Sequence, residues 1–166
     1  MLPPPVLGGG EDYRTHLTAL LGNAGASAVV VAPELRDILA GPAEQAGITT
    51  LLQVGETAIG AAVLRRRALT ADDTAVVQFT SGSSGTPKGV RISWRNLSSN
   101  TGFILASGGW QTGDSTSSWL PLYHDMGLVG GLLTTLARGG DLWLMRPDHF
   151  IRDPRQWLRS LAQCQH

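Results

Sequence analysis

TAVVQFTSGSSGTPKGVRIS, running from Thr74 to Ser93, is the stretch that decides how this chain is read. Its first six residues, Thr74 to Phe79, are β-branched or apolar except Gln78 and read as a buried strand. The segment Thr80 to Gly89 follows with no spacer. It holds three glycines, five hydroxyls (Thr80, Ser81, Ser83, Ser84, Thr86) and one ammonium, Lys88. Ser93 then has the side chain and the position to cap a helix reaching about Ala106. A strand entering a tight small-residue loop and leaving by a helix is the unit from which layered α/β domains are built.

The same alternation extends on both sides. Residues 1–12 are rich in Pro and Gly and read as an irregular arm. Tyr13 to Leu21 has apolar residues at helical spacing, with Gly22 and Asn23 as the stop signal. Ala28 to Ala32, with three consecutive valines, reads as a strand. Pro33 to Leu39 suits a short helix that opens on proline. Ile48 to Val54 is a second strand, and residues 55–73 are ambiguous, with Arg65-Arg66-Arg67 as a solvated face. After the helix from Ser93, Ser117 to Leu120 reads as a strand ended by Pro121. Met126 to Ala137 reads as a glycine-interrupted apolar helix closed by Arg138-Gly139-Gly140. Asp141 to Met145 is a strand, and Asp153 is placed to cap a last helix through Leu161. The expected fold is α/β: a layered, mostly parallel sheet with flanking helices.

Composition narrows the class. The 166 residues carry 13 Lys+Arg against 13 Asp+Glu, so a net charge of zero gives no electrostatic case for nucleic acid or an anionic membrane. Charged residues are 16% and apolar residues 42%, which excludes the disordered class. One cysteine, Cys164, excludes a disulfide scaffold and a cysteine zinc site, and fits a reducing, cytoplasmic setting. The start MLPPPVLGGG lacks a basic region and an apolar core, so no signal peptide is expected. The longest mostly apolar stretch, Gly127 to Ala137, is far short of the ~20 residues of a membrane helix. Of the 13 basic residues only Lys88 is lysine, and it falls inside the densest Gly/Ser/Thr segment.

That segment has the chemistry of an oligophosphate cradle. Glycines allow close backbone approach, successive N–H groups form an anion-binding concavity, and one compact cation sits beside them. A flexible Gly/Ser linker has the same composition. Three details favour the cradle: the strand directly before it, the rigid Pro87 next to Lys88, and close flanking elements that hold both ends. Walker A spacing is absent, since Lys88 is followed by Gly89 rather than a hydroxyl. Neither G-x-G-x-x-G nor G-x-S-x-G occurs.

A second constellation lies at WLPLYHDMGL, Trp119 to Leu128. Pro121 ends a strand, and Tyr123, His124 and Asp125 sit on the turn into an apolar helix, as a site at the carboxyl edge of a parallel sheet would. His124 alone also reads as an ordinary turn histidine, and Asp125 as a helix cap. A metal site is not expected, because His16, His149 and His166 share no ligand spacing with His124.

TSGSSGTPKG resembles the phosphate-binding signature of the adenylate-forming (AMP-binding) superfamily, which includes acyl-CoA synthetases and peptide-synthetase adenylation domains. The usual form has Thr where Ser84 stands, and Ser keeps the hydroxyl. WLPLYHDMGL resembles the matching motif of the fatty-acyl-AMP ligase branch, and Arg146 to Leu161 resembles that branch as well. The resemblance implies that Thr80, Ser81, Gly82, Ser83, Ser84, Gly85, Thr86 and Lys88 grip the β- and γ-phosphates of ATP. It implies a catalytic place for His124 beside the carboxylate and α-phosphate, with His124, Asp125, Met126 and Gly127 at the substrate. The implied reaction joins a fatty acid and ATP into acyl-AMP and pyrophosphate, with Mg²⁺ bridging phosphate oxygens through ligands outside this chain. An acyl carrier protein or a polyketide or peptide synthase module is the implied partner class. The glycine-rich helix from Met126 reads equally as an acyl-tunnel wall and as core packing.

Family members are several times longer. Residues 1–166 are therefore expected to be a partial N-terminal AMP-binding domain without its C-terminal domain, inactive alone and with apolar faces left open. The alternatives are a piece of a long-chain acyl-CoA synthetase, or a non-catalytic remnant that at most binds phosphate.

Overall fold

The structure, a computed structural model, describes residues 2, 10–55, 68–80, 88–111 and 113–163. It divides into two compact units. One comprises Leu2–Thr70 with Val76–Arg91, the other Ala71–Ala75 with Ile92–His166.

In the first unit, helix α1 spans Glu11–Ala24 and strand β1 Ala28–Val31. A single 3₁₀ turn, Pro33–Leu35, leads into α2, Arg36–Gln45, and β2 covers Thr50–Gln53. Glu11 and Asp12 sit in the first turn of α1, where negative charge complements the helix dipole. The helix runs past Gly22 and Asn23 and ends at Gly25, whose φ of 59° is the left-handed closure that glycine permits. It runs on because Leu20 and Leu21 are buried, and their packing outweighs a poor helix former in the last turn. Strand β1 pairs parallel with β2 in the register Ala28↔Thr50 to Val31↔Gln53. One face of β1 is sealed: Val29 and Val31 are buried while Val30 is 68% exposed. Leu17 and Leu21 of α1, Leu39 and Ala43 of α2, Ile48 and these two valines form the core. Helix α2 also passes the point where Gly41-Pro42 would be expected to break it. Pro42 is inside the helix and buried, so core packing offsets the lost backbone hydrogen bond.

Strand β3 covers Thr74–Thr80 and pairs with β4, Lys88–Ser93. The sequence reading expected a loop through Gly89 with a helix next. Instead a strand begins at Lys88, and the loop is bounded by two paired strands. Gly89 explains part of this fit. A β-carbon there would lie 3.1 Å from Val77 Cγ1 and 3.2 Å from Phe79 Cε1, so the absent side chain makes room for its neighbours on β3.

In the second unit α3 spans Trp94–Ser107. The Asn96 N–H donates to Ser93 Oγ at 3.2 Å and the Ser93 N–H to Asn96 Oδ1 at 3.2 Å, a reciprocal cap with Asn in the usual Glu place. Ser93→Ala is expected to lower the melting free energy of this unit by about 1 kcal/mol, measured by thermal denaturation. Arg95 donates twice to Asp72, at 2.9 and 3.2 Å. These hydrogen bonds, then the charge itself, hold the Asp72 carboxyl below its ordinary 3.8. A depressed folded pKa gives a contribution present above 3.8 and lost as pH falls through the lower folded value. Both side chains are open to solvent, so the effect on stability is small. The Asp72 titration midpoint, followed by NMR, is expected to rise in Arg95→Gln.

Strand β5, Thr116–Ser118, pairs parallel with β6, Leu142–Leu144, in the register Thr116↔Leu142 to Ser118↔Leu144. Between them a π-helical stretch, Met126–Leu133, continues as α4, Thr134–Arg138, and closes on Gly139 at φ 75°. Two helices follow: α5, Pro147–Arg152, and α6, Arg155–Gln163. Asp153 Oδ1 accepts from the Arg155 N–H at 3.3 Å and from its Nε at 2.7 Å, the cap the sequence indicates. Trp119 stacks on Phe150 at 3.9 Å, Phe150 meets Trp157 edge-on at 6.0 Å, and Trp157 Nε1 donates to the Ser117 carbonyl at 3.1 Å. This unit leaves large apolar groups open, among them Phe103 at 70%, Ile151 at 78% and Leu136 at 62% exposure.

The α/β class with parallel pairing is as the sequence indicates. Among the described residues the strands form three two-stranded sheets, and the two pairs β1–β2 and β5–β6 are parallel. Also among the described residues, no helix is long and apolar enough to cross a membrane.

Candidate functional site

Of the glycine-rich segment, Thr80 closes β3 and Lys88 opens β4. Ser81, Gly82, Ser83, Ser84, Gly85 and Thr86 lie outside the described residues. Lys88 is exposed, and no carboxylate among the described residues pairs with it. Two hydrogen-bonded strands thus hold the segment's ends, which a free linker would lack.

His124, Asp125, Met126 and Gly127 lie in the second unit, on one turn between β5 and the π-helical stretch. The Pro121 carbonyl accepts from the His124 N–H at 3.1 Å, and the His124 carbonyl accepts from the Leu128 N–H at 2.9 Å. His124 Nδ1 lies 2.6 Å from Asp125 Oδ1. The Met126 N–H faces both groups, donating to Asp125 Oδ1 at 2.7 Å and to His124 Nδ1 at 3.3 Å. Asp125 therefore caps the helix and orients the imidazole at once. Both side chains are more than half exposed, so an incoming group can reach them. Met126 is exposed and Gly127 buried.

Gly127 is what lets the turn close. A β-carbon there would run into the Pro121 carbonyl and lie 2.9 Å from the Leu120 carbonyl oxygen. Backbone on both sides leaves nothing to yield. Further along, Gly131 stands where a β-carbon would meet Ser118 Oγ at 3.4 Å, so glycines bring this helix close to β5.

Four residues that sequence reasoning passed over support the turn. Thr134 Oγ1 donates to the Val129 carbonyl at 2.7 Å, and Thr135 Oγ1 to the Gly131 carbonyl at 2.6 Å. The Thr135 and Thr116 hydroxyl oxygens lie 2.9 Å apart, and Arg138 Nη2 donates to Thr116 Oγ1 at 3.2 Å. The signal was available: Thr134 and Thr135 interrupt an otherwise apolar run, and a polar residue inside such a run needs a partner.

A cavity of about 410 Å³ opens between β6, α5 and α6, with Ser117, Trp143, Arg146, His149, Gln156 and Ser160 among its lining. No candidate residue borders it.

The backbone is similar to known proteins over nearly its full length. It superposes on a solved structure from the fatty acyl-adenylate ligases of E. coli and L. pneumophila with a TM-score of 0.87. That match is 30% identical and covers 98% of this chain and 30% of that one. A fatty acyl-adenylate ligase from L. pneumophila, solved in complex with acyl adenylate and pyrophosphate, matches with a TM-score of 0.77 at 26% identity. It covers 98% of this chain and 28% of the ligase. In sequence, 92 residues are 45% identical to a medium-chain fatty acid–acyl-carrier-protein ligase of Teredinibacter turnerae, covering 55% of this chain and 14% of that protein. The chain thus spans less than a third of the length of each. Residues 13–165 match the AMP-binding enzyme family, and the chain is a member of that family.

Proposed function

We propose that this chain supplies the phosphate-gripping and carboxylate-placing parts of a ligase that joins a fatty acid to ATP, giving acyl-AMP and pyrophosphate. The observation that carries the reading is the full-length backbone likeness to a ligase solved with acyl adenylate and pyrophosphate. The carboxylate oxygen attacks the α-phosphorus, and the bond to the bridging oxygen of pyrophosphate breaks. Such transfers are accelerated chiefly by positioning and by stabilising charge. Thr80, the Ser81–Thr86 segment and Lys88 hold the departing pyrophosphate, with the ammonium as a point charge. His124, held beside Asp125, takes its place by the acyl carboxylate and α-phosphate. Met126 and Gly127 border the acyl group.

Magnesium enters this reading as the counterion of ATP. Among the described residues no three His, Cys, Asp or Glu side chains gather at a metal site, so no step is assigned to a protein-held ion. The acceptor of the acyl group is a carrier protein in this reading. Coenzyme A is the alternative, and His124-Asp125-Met126-Gly127-Leu128 favours the fatty-acyl-AMP ligase branch over an acyl-CoA synthetase.

Two measurements test the proposal. Calorimetry of the chain with inorganic pyrophosphate and with ATP should show the two competing for one site. Absence of binding by both overturns the phosphate grip. The chain alone should give fatty-acid-dependent ATP–pyrophosphate exchange at background. Grafted in place of the equivalent region of a full-length fatty acyl-adenylate ligase, it should support exchange. A folded graft that is inert with every fatty acid overturns the ligase reading.

A further inference from the structure

The π-helical stretch Met126–Leu133 is joined to β5 by a chain of hydroxyls that ends in a cation. Thr134 and Thr135 are 2% and 1% exposed, in a unit where few side chains are buried at all. Each bonds a carbonyl of the wide turn, Thr134 to Val129 and Thr135 to Gly131. A hydroxyl has one proton. The single Thr135 proton has two acceptors in reach, the Gly131 carbonyl at 2.6 Å and Thr116 Oγ1 on β5 at 2.9 Å, and Arg138 Nη2 donates to the same Thr116 oxygen at 3.2 Å. Arg138 is itself fixed, its guanidinium 4.6 Å over the Trp110 ring. Its Nε and Nη1 are buried, with no acceptor among the described residues, so its place is set by the ring and by Thr116.

We propose that Thr135, with Thr116 and Arg138 behind it, is a positioning residue for His124, because its hydroxyl ties the π-helical stretch that starts at Met126 to β5. The mechanical link is short. The His124 carbonyl takes the Leu128 N–H, Asp125 caps Met126, and the winding that follows carries the extra residue per turn that distinguishes a π-helix from an α-helix. Gly127, Gly130 and Gly131 give this stretch little side-chain packing of its own, so the hydroxyls make the tie. Loss of the Thr135 hydroxyl removes that tie to β5, which lets the stretch and the His124–Asp125 pair at its start turn relative to the strand. The catalytic importance of that placement rests on the reading of His124 given above.

The test is NMR on the whole chain. Thr135→Val keeps the shape and removes the hydroxyl, Thr135→Ser keeps the hydroxyl, and Thr116→Val breaks the chain one step further out. Thr135→Val should shift the His124 imidazole resonances and speed amide exchange at Leu128 to Leu133 by about tenfold, the size of one buried hydrogen bond. Exchange at Leu17 and Val31 in the other unit should not change. Thr135→Ser should restore the parent pattern, and Thr116→Val should move the same signals less. Unmoved His124 resonances in a folded Thr135→Val overturn the proposal. If Thr135→Val does not fold, Thr116→Val decides by the same criterion. These signals do not depend on ligase chemistry. A chain that fails to bind pyrophosphate but shows the His124 shift removes the ligase reading and keeps the positioning role.

Discussion

Lys88→Ala lowers the affinity of the chain for inorganic pyrophosphate by about ten- to a hundredfold, the range for losing one charge-assisted hydrogen bond to phosphate. The effect is large because the charge is not shared. Lys88 is the sole lysine in the sequence, and among the described residues no carboxylate competes for it. It opens β4, so its backbone is set by pairing with β3 before any ligand arrives. The alanine variant keeps Gly89 beneath Val77 and Phe79 and should fold as the parent does. Calorimetry at two salt concentrations separates the charge from the loop. Parent affinity should fall with added salt, and the variant's should fall less. Equal affinity in parent and variant removes Lys88 from the phosphate site. Lys88→Arg should lie between them, since a planar fork replaces a compact charge.

Gly127→Ala destabilises its unit by about 3 kcal/mol, the upper end for forcing one added carbon into packed surroundings. The added carbon meets the Pro121 and Leu120 carbonyls, and neither is the flexible end of a side chain. For a chain of this size the melting temperature should drop by roughly 6–12 °C. Gly130→Ala is the control three residues on. Nothing lies within 4 Å of a β-carbon there, so the variant should melt within a few degrees of the parent. A Gly127→Ala protein as stable as the Gly130→Ala protein would mean the turn does not need that close approach.

What the sequence displays of this molecule is what is local. Ser93 announces the start of α3 because a cap is made with residues three positions away. Val29 to Val31 announce a strand because a run of β-branched residues is written into neighbouring positions. The misses involve distant partners. Gly22 looks like a stop and the second helix reads as ending at Leu39, but Leu20, Leu21 and Pro42 reach the core, and burial there outweighs local preference. Lys88 to Ser93 looks like the end of a loop because only Val90 and Ile92 are apolar, and its strand exists through pairing with β3. The site divides the same way. His124, Asp125 and Gly127 stand in one short motif and one turn. Thr116, Thr135 and Arg138 are spread over 23 residues of sequence and meet only through the β5 contact. The π-helical winding has no side-chain period of its own, so the stretch reads as an ordinary apolar helix.

The stacked pair of Trp119 and Phe150, with Trp157 at its edge, gives the molecule an optical gauge of its own. Rings held at 3.9 Å and nearly coplanar fix Trp119 in one asymmetric setting, so this contact contributes to the near-ultraviolet circular dichroism. Departure of the last two helices from the strand that precedes the histidine turn would weaken that signal while the far-ultraviolet spectrum stayed nearly constant. Loss of fixed side-chain order in this part of the chain is thus visible in an unlabelled sample.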